Sequence, residues 1–274
     1  MRLTIKKIQD LKTSGEKITM LTAYDYSTAR LVDDAGVPLI LVGDSLGMVI
    51  LGYDSTVPVT MDEMLHHVKA VVRGTKKALV VGDMPFMTYQ ASAEDAIRNA
   101  GRMLQQGGCQ AVKLEGGTSM AETTRRIVDC GIPVMGHIGL TPQSIHQLGG
   151  HHIQGKTADT AKRLVEDALA LEQAGAFAVV LELVPVQLAK LVTGKLKIPT
   201  IGIGSGTFCD GQVLVIHDML GLFPDFVPKH SKQYARLAST MKNAISEYCA
   251  EVKSGSFPSA EHSVSMDEGL LQDI

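Results

Sequence analysis

LILVGD (39–44) and ALVVGD (78–83) are short apolar runs that each end in a carboxylate, and AVKLE (111–115) and AVVLE (178–182) repeat the pattern. Continuous runs rich in Val, Leu and Ile are typical of strands buried on both faces of a parallel sheet. In a β/α barrel the carboxyl ends of the strands form one rim, where the active site is built. We therefore expect the four terminal carboxylates to lie together on such a rim.

Four carboxylates on one rim would repel one another unless a cation or a shared proton compensates their charge. The alternative is that each one caps the helix that follows its strand, as Asp often does. That alternative stays open for any single carboxylate. Four of them in the same position favour a functional site.

Strands and helices alternate along most of the chain. Strand-like runs are predicted at 18–24, 39–44, 78–83, 111–115, 133–138, 177–183, 199–203 and 212–217, and helical patterns at 61–73, 92–107, 119–130, 160–174 and 230–253. Eight strands alternating with helices predict parallel βα units and a closed (β/α)₈ TIM barrel, although an open doubly wound sheet has the same local signature. The last two strands are too close for a crossover helix, which is the weak point of the barrel assignment. We expect one barrel catalytic domain at 1–253 and a polar, flexible tail at 254–274.

Composition excludes several classes of function. The formal net charge is -3 and no long basic run occurs, which argues against a nucleic-acid partner. Aromatic residues make up 4% and Trp is absent, so a stacking platform for single strands is not expected. The four cysteines are scattered without metal-binding spacing, and we expect reduced thiols. No apolar segment reaches 18 residues and the N-terminus has no apolar signal core, so we expect a cytoplasmic protein without a membrane partner.

Two aspartates end neighbouring strands. Asp44 and Ser45 open a loop containing Gly47 and Gly52, which suits close wrapping around a ligand, although an ordinary βα turn is the alternative. Asp83 ends the next strand. Asp44 and Asp83 could share a hard cation such as Mg²⁺ through oxygen ligands, and the sequence does not distinguish Mg²⁺ from Mn²⁺ or Co²⁺.

The fourth and fifth strands carry further candidates. Strand alternation points Lys113 and Glu115 to the same side. Lys113 could contact a substrate carboxylate, act as a Schiff-base nucleophile, or simply pair with Glu115 at the surface. His137 near the end of its strand is either a hydrogen-bonded core residue or a residue of the site. The glycine-rich loop at 202–206 lacks dinucleotide-binding spacing and is interpreted as a substrate-side loop.

Several strings occur in the order found in one family. They are VGDSLGMVILGYDSTVPVT, DMPFMTY, VKLEGG, GHIGLTPQS, LELVPVQLAK and IPTIGIGSG followed by CDGQVLVIHDMLG. Together they resemble ketopantoate hydroxymethyltransferase, and the match extends from about residue 3 to 250. The chain has Ser205 where the family more commonly has Ala, which puts no catalytic role in doubt.

The resemblance implies a TIM barrel of the phosphoenolpyruvate/pyruvate superfamily, one divalent metal per subunit with Mg²⁺ expected, and a homo-oligomer, often a decamer. It implies transfer of a hydroxymethyl group from 5,10-methylenetetrahydrofolate to 3-methyl-2-oxobutanoate, giving 2-dehydropantoate and tetrahydrofolate in the first step of pantothenate synthesis. The implied sites are a metal site at Asp44, Asp83 and Glu115, a substrate site at Asp44, Ser45, Asp83, Lys113 and His137, and a proton acceptor at Glu182.

The expected chemistry suits these residue types. A 2-oxo acid can chelate one metal through its keto and carboxylate oxygens, and a carboxylate base can remove the C3 proton so that an enolate attacks the one-carbon unit. Two alternatives remain: a metal-dependent lyase or mutase acting on a related 2-oxo acid, which needs no folate, and a non-catalytic sensor, which binds without turnover.

Overall fold

The sheet is a closed barrel of eight parallel strands, as the sequence predicts. The computed structural model describes residues 2–223 and 227–271. Each strand pairs with the next in chain order, and the last pairs in parallel with the first. The strands are β1 (Ile18–Thr22), β2 (Leu39–Val42), β3 (Leu79–Asp83), β4 (Ala111–Glu115), β5 (Val134–Gly139), β6 (Ala178–Glu182), β7 (Thr200–Ile203) and β8 (Gly211–Leu214). The open doubly wound alternative is therefore wrong.

Helices separate most of these strands. They are α1 (Ile5–Ser14), α2 (Tyr26–Asp34), α3 (Leu46–Val49), α4 (Met61–Gly74), α5 (Ala93–Arg102), α6 (Ala121–Asp129), α7 (Ile145–Leu148), α8 (Ala158–Gln173), α9 (Val186–Lys195), α10 (Ile216–Leu220) and α11 (Leu237–Ser254). The start of α4 is set by a capping box, in which Thr60 accepts from the Glu63 amide while the Glu63 carboxylate accepts from the Thr60 amide. The predicted helices that precede β3, β4, β5 and β6 are confirmed, and a π-helical turn at Met103–Gly107 continues α5.

The barrel closes without a crossover helix between β7 and β8. Loop 204–210 returns the chain, and β8 still pairs in parallel with β7. Asp210 anchors the end of this loop, since its Oδ2 accepts from the Thr200 amide at 2.8 Å and from Lys12 Nζ at 2.9 Å. The connection between β7 and β8, which is too short for a crossover helix, is thus a loop held by Asp210.

The strands alternate between an inward and an outward face. Inward residues such as Val81, Ala111, Met135 and Val180 belong to one buried apolar cluster, to which α1 contributes Ile8 and Leu11. Residues two positions further along these strands keep the same orientation but lie nearer the carboxyl rim. Alternation therefore aims the side chains at the strand ends into the barrel above its apolar core.

A buried carboxylate fastens α2 to the segment that leads into β3. Asp33 accepts backbone hydrogen bonds from Lys76 at 2.9 Å, from Lys77 at 3.0 Å and from Ala78 at 2.7 Å. Burial acts to raise the pKa of Asp33, but these donors outweigh it and the pKa is lowered. The ionised carboxylate thereby stabilises the entry to β3.

The chain forms two compact units. The first comprises the residues up to Ile216 together with Pro228–Ser231, and the second comprises His217–Val227 and the chain from Lys232 onward. The predicted helix at 230–253 begins only at Leu237, because Tyr234 donates its amide to the Met219 carbonyl at 2.8 Å instead of entering a helix. Single 3₁₀ turns follow at Ala260–His262 and Glu268–Leu271. The division into a domain at 1–253 and a tail at 254–274 stays a prediction.

Helices long and apolar enough to cross a membrane do not occur in residues 2–223 and 227–271.

Candidate active site

The carboxyl rim of the barrel gathers charged side chains that are almost completely buried. Asp83, Lys113, Glu115 and His137 are each at most 5% exposed. Register sets Asp83 beside Lys113 across β3 and β4, and Glu115 beside His137 across β4 and β5. The ends of adjacent strands thus bring two carboxylates, one lysine and one histidine together.

None of the strand-end carboxylates caps a helix. The residue at the N-cap of α3 is Ser45, that of α5 is Ser92, and that of α9 is Pro185. After β4, Gly117 precedes the first helical turn. The capping interpretation is therefore wrong for these four positions, and their side chains are available to the rim.

Asp83 joins β2 to β4. Its Oδ2 accepts a hydrogen bond from the Asp44 amide at 3.2 Å, and its Oδ1 lies 2.7 Å from Lys113 Nζ. That ion pair is buried on both sides, with side-chain exposures of 2% and 4%. Burial acts to lower the pKa of Lys113, but the charges of Asp83, Glu115 and Asp44 outweigh burial and raise it. Lys113 is a cation held among carboxylates, and the surface-pair interpretation is wrong.

His137 connects the cluster to Glu182 at the end of β6. Its Nδ1 lies 3.4 Å from both Glu115 Oε1 and Lys113 Nζ, and its Nε2 lies 3.2 Å from Glu182 Oε2. Burial and the Lys113 charge act to lower the pKa of His137, but the contacts with Glu115 and Glu182 outweigh them and raise it to about 9. The imidazole therefore contacts two carboxylates of the rim, and its raised pKa favours the protonated form at neutral pH.

The Glu182 side chain is more accessible than the rest of the cluster, at 16% exposed. The next residue, Leu183, has a φ of 47°, which is a strained conformation for a side chain that is not Gly. Ser205 braces this turn, since its hydroxyl donates to the Leu181 carbonyl at 2.7 Å and accepts from the Val184 amide at 3.1 Å. The hydroxyl that Ser205 adds to the glycine-rich loop thus supports the backbone on both sides of Glu182.

Gly139 allows the end of β5 to hold the backbone carbonyl of Glu182. Its φ is 95°, and a Cβ built there would collide with the Glu182 carbonyl oxygen. That oxygen accepts from the Leu140 amide at 2.8 Å. Glycine is therefore required for the end of β5 to approach the end of β6 this closely.

Ser45 lies at the edge of the cluster. It is half-buried, makes no capping hydrogen bond to α3, and its hydroxyl lies 2.8 Å from the Tyr24 hydroxyl. Tyr24 is itself fixed through its carbonyl, which lies 2.6 Å from His67 Nδ1. The structure thus places the predicted residues Asp44, Ser45, Asp83, Lys113, Glu115, His137 and Glu182 along one connected rim.

Sequence reasoning missed two buried residues that contact this rim. Gln143 donates to Asp44 and to Glu115, and Tyr89 bonds both Gln143 and the Glu115 amide. Gln143 lies in the segment GHIGLTPQS (136–144), and Tyr89 lies in the segment DMPFMTY (83–89). The available signal was a polar side chain in a loop directly after a rim strand.

The charges of the cluster fit a hard divalent cation. Burial is the main cause that raises the pKa of Asp44 well above its ordinary value, and the charges of Asp83 and Glu115 raise it further. Burial also raises the pKa of Asp83, although the neighbouring Lys113 charge acts to lower it. Asp83 Oδ1 is buried, and its close contact is the ion pair with Lys113 Nζ at 2.7 Å. Carboxylate oxygens are the ligands that Mg²⁺ prefers. Within residues 2–223 and 227–271, no three His, Cys, Asp or Glu side chains are arranged as they stand to hold a metal ion. The fit of Asp44, Asp83 and Glu115 to a divalent cation therefore rests on their oxygen donors and their negative charge.

A cavity of about 410 Å³ is lined by residues of the segments that follow β2 and β5. Its lining includes Met48, which follows Ser45 in α3, and Pro142, which precedes Gln143. Its volume is in the range of small-molecule sites. None of the predicted site residues is part of this lining, namely Asp44, Ser45, Asp83, Lys113, Glu115, His137 and Glu182.

Comparison with known proteins identifies one family. The family model described as ketopantoate hydroxymethyltransferase matches residues 2–260. A relative in Dehalococcoides mccartyi (strain CBDB1), named 3-methyl-2-oxobutanoate hydroxymethyltransferase, is 61% identical over 100% of this chain and 98% of its own length. A relative of the same name in Chloroflexus aurantiacus (strain ATCC 29366 / DSM 635 / J-10-fl) is 60% identical over 99% of this chain and 96% of its own length.

Solved structures share the fold at low identity. A phosphoenolpyruvate phosphomutase from Streptomyces platensis subsp. rosaceus is 14% identical, covers 99% of this chain and 94% of its own, and has a TM-score of 0.63. A 2,3-dimethylmalate lyase, described as a PEP mutase/isocitrate lyase superfamily member, is 13% identical with a TM-score of 0.58, covering 99% of this chain and 94% of its own. The predicted (β/α)₈ barrel is confirmed, and these solved structures share its fold.

Proposed function

The chain belongs to the ketopantoate hydroxymethyltransferase family, and from that membership we propose that it transfers a hydroxymethyl group from 5,10-methylenetetrahydrofolate to 3-methyl-2-oxobutanoate. The products are 2-dehydropantoate and tetrahydrofolate, in the first step of pantothenate synthesis. The donor supplies a methylene carbon and water supplies the hydroxyl oxygen, so one water is consumed in each turnover. The observation that carries the proposal is the buried rim on which one lysine lies among carboxylates, with Glu182 joined to them by His137.

Asp44, Asp83 and Glu115 are the residues that would hold the divalent metal, with Mg²⁺ expected and Mn²⁺ or Co²⁺ possible. When bound, such an ion supplies positive charge that favours a 2-oxo acid and stabilises charge developing on its keto oxygen. The four carboxylates of the rim, Asp44, Asp83, Glu115 and Glu182, outnumber the two cations Lys113 and His137, so the cluster itself favours an additional cation. We expect Ser45, whose half-buried hydroxyl lies 2.8 Å from the Tyr24 hydroxyl, to donate a hydrogen bond to the substrate.

Lys113 attracts and orients the substrate carboxylate. Its ammonium group is buried and held 2.7 Å from Asp83 Oδ1, so it cannot move far from the rim. An ammonium is not a nucleophile, whereas an imine requires a free amine. Electrostatic contact therefore suits Lys113 better than a Schiff base.

Glu182 accepts the C3 proton of the substrate. Its carboxylate is the accessible acid of the rim, and a protonated His137, whose Nε2 lies 3.2 Å from Glu182 Oε2, attracts it electrostatically. Removal of the proton leaves the electron pair at C3, which forms the new bond to the methylene carbon of the donor. Both carbon–nitrogen bonds of that methylene group break, water supplies the hydroxyl, and the two nitrogens keep the electron pairs and take up the C3 proton and the second proton of water as tetrahydrofolate leaves. The residues assigned to metal and substrate lie on other strands, which leaves Glu182 free to act as the base.

We also propose a homo-oligomer, with a decamer expected for this family. Met241, Ile245, Tyr248 and Val252 recur at helical spacing on one face of α11 and are 46–59% exposed. Such an apolar face is typical of an interaction surface. Light scattering coupled to size-exclusion chromatography measures the subunit number, and a monomer at micromolar concentration would contradict this part of the proposal.

Product formation in four reaction mixtures tests the proposed reaction. The purified chain is assayed for 2-dehydropantoate with both co-substrates, without 5,10-methylenetetrahydrofolate, after chelation, and after Mg²⁺ is restored. We expect product only when the donor is present, loss after chelation, and recovery with Mg²⁺. Consumption of the 2-oxo acid without the donor would instead indicate a lyase or mutase, and full activity after exhaustive chelation would remove the metal claim.

A further inference from the structure

Gln143 is a buried residue in the loop after β5 that bonds two of the rim carboxylates at once. Its side chain donates from Nε2 to Asp44 Oδ2 at 2.9 Å and to the Met84 carbonyl at 2.9 Å. Its backbone amide donates to Glu115 Oε2 at 3.0 Å. One residue, 4% exposed, therefore ties together acids that lie 71 positions apart in sequence, at 44 and 115.

The orientation of the Gln143 amide is determined by its partners. A carboxylate and a backbone carbonyl can only accept, so Nε2 must face Asp44 and Met84. On the opposite side, Oε1 accepts from the Tyr89 hydroxyl at 2.6 Å and from Gln90 Nε2 at 3.1 Å. The Tyr89 hydroxyl in turn accepts from the Glu115 amide at 3.1 Å. A flipped amide would lose the bonds to Asp44 and to the Met84 carbonyl, so these two acceptors determine the arrangement of the network.

The neutral charge of Gln143 is significant at this position. It donates to one oxygen of Asp44 and, through its amide, to one oxygen of Glu115, and it adds no positive charge to the rim. A lysine here would pair with the carboxylates and reduce the negative charge available to a cation. Gln143 thus orients the acids without neutralising them.

We propose that Gln143 is a positioning residue that holds Asp44 and Glu115 in the orientation that divalent-metal binding requires, an inference that rests on the proposed metal-dependent function. Groups that hydrogen-bond metal ligands typically contribute 10–100-fold to metal affinity. Gln143→Met keeps the length of the side chain and removes both donors and the acceptor. The variant should bind metal more weakly while its barrel stays folded.

The test is the affinity of the metal-free protein for Mn²⁺, measured by calorimetry without substrate. We expect Gln143→Met to weaken Mn²⁺ binding about 10–100-fold. Gln110→Met is the matched control, because the half-buried Gln110 side chain also bonds backbone, at Val80 and Gly108, but lies just before β4, at the end of the strand opposite the rim. It should bind Mn²⁺ as the wild type does.

Tyr89→Phe provides a second variant if Gln143→Met does not fold. It deletes one hydroxyl that bonds Gln143 and the Glu115 amide, and it should weaken Mn²⁺ binding by a smaller factor than Gln143→Met. If Gln143→Met folds and binds Mn²⁺ as tightly as the wild type, the positioning role is refuted. If Gln143→Met does not fold, wild-type Mn²⁺ affinity in Tyr89→Phe refutes it. A wild type that binds no Mn²⁺ overturns it together with the metal part of the proposed function. Weakened binding in the variant, alongside a wild type that binds Mn²⁺ but forms no product, leaves the inference standing and refutes the proposed reaction alone.

Discussion

Replacing Glu182 by Gln removes the proposed base and changes little else. The amide oxygen of Gln can still accept from His137 Nε2, which lies 3.2 Å from the carboxylate in the structure. The backbone is held by the Leu140 amide and by Ser205, so the side chain should keep its place. An amide does not accept a proton effectively, and general-base catalysis typically contributes about 10²–10⁴-fold. We therefore predict that Glu182→Gln lowers kcat by about 10²–10⁴-fold while KM for the 2-oxo acid changes by less than about threefold.

Exchange of the C3 proton of 3-methyl-2-oxobutanoate into deuterated water, with Mg²⁺ present and the donor absent, isolates the base. Wild type should exchange the proton, and Glu182→Gln should do so more slowly by the same factor as kcat. Glu166→Gln is the control, because Glu166 is exposed on α8, where it lies 3.9 Å from Lys162, and it should exchange normally. Equal exchange by wild type and Glu182→Gln would refute the assignment and make His137 the next candidate.

Three further predictions address the metal site, Lys113 and the stability of the fold. Asp83→Asn should keep the fold but weaken Mn²⁺ binding at least tenfold in calorimetry; unchanged affinity would contradict a metal role for Asp83. Borohydride added during turnover should leave the mass of the chain unchanged, whereas a substrate-sized adduct on Lys113 would establish a Schiff base. Asp33→Asn should lower the free energy of unfolding by about 1.5–3 kcal/mol at pH 7, because a charged acceptor for three backbone amides is lost. Since the folded-state pKa of Asp33 is lowered, its contribution is complete above the unfolded value of about 3.9 and is lost as the pH falls through the folded value. Denaturant titrations should therefore find a smaller difference between the two proteins at about pH 3 than at pH 7, and a constant difference would contradict the ionic origin.

The parts of the site that follow from strand periodicity could be predicted from the sequence. Alternation predicts that Lys113 and Glu115 share a face, and the structure places both in the rim cluster with Asp83 and His137. Apolar runs that end in acids predict which residues reach the rim. These signals are local, since each depends on neighbours within one strand.

The contacts between distant segments could not be predicted in this way. Gln143 bonds Asp44 across 99 positions of sequence, and nothing in TPQS itself indicates that partner. The positive φ of Leu183 and its brace from Ser205 arise from the approach of two loops. The late start of α11 has the same origin, since Tyr234 pairs with Met219 in place of a helical turn. Tertiary contacts determine all three, and periodicity does not report them.

The most direct test of the account follows the transferred carbon. 5,10-Methylenetetrahydrofolate labelled with ¹³C in the methylene group is incubated with 3-methyl-2-oxobutanoate, Mg²⁺ and the purified chain, and the product is examined by NMR. The label should appear in the hydroxymethyl carbon of 2-dehydropantoate, and tetrahydrofolate should accumulate in equal amount. Consumption of the 2-oxo acid without labelled product, or no reaction by folded protein with metal bound, would contradict it.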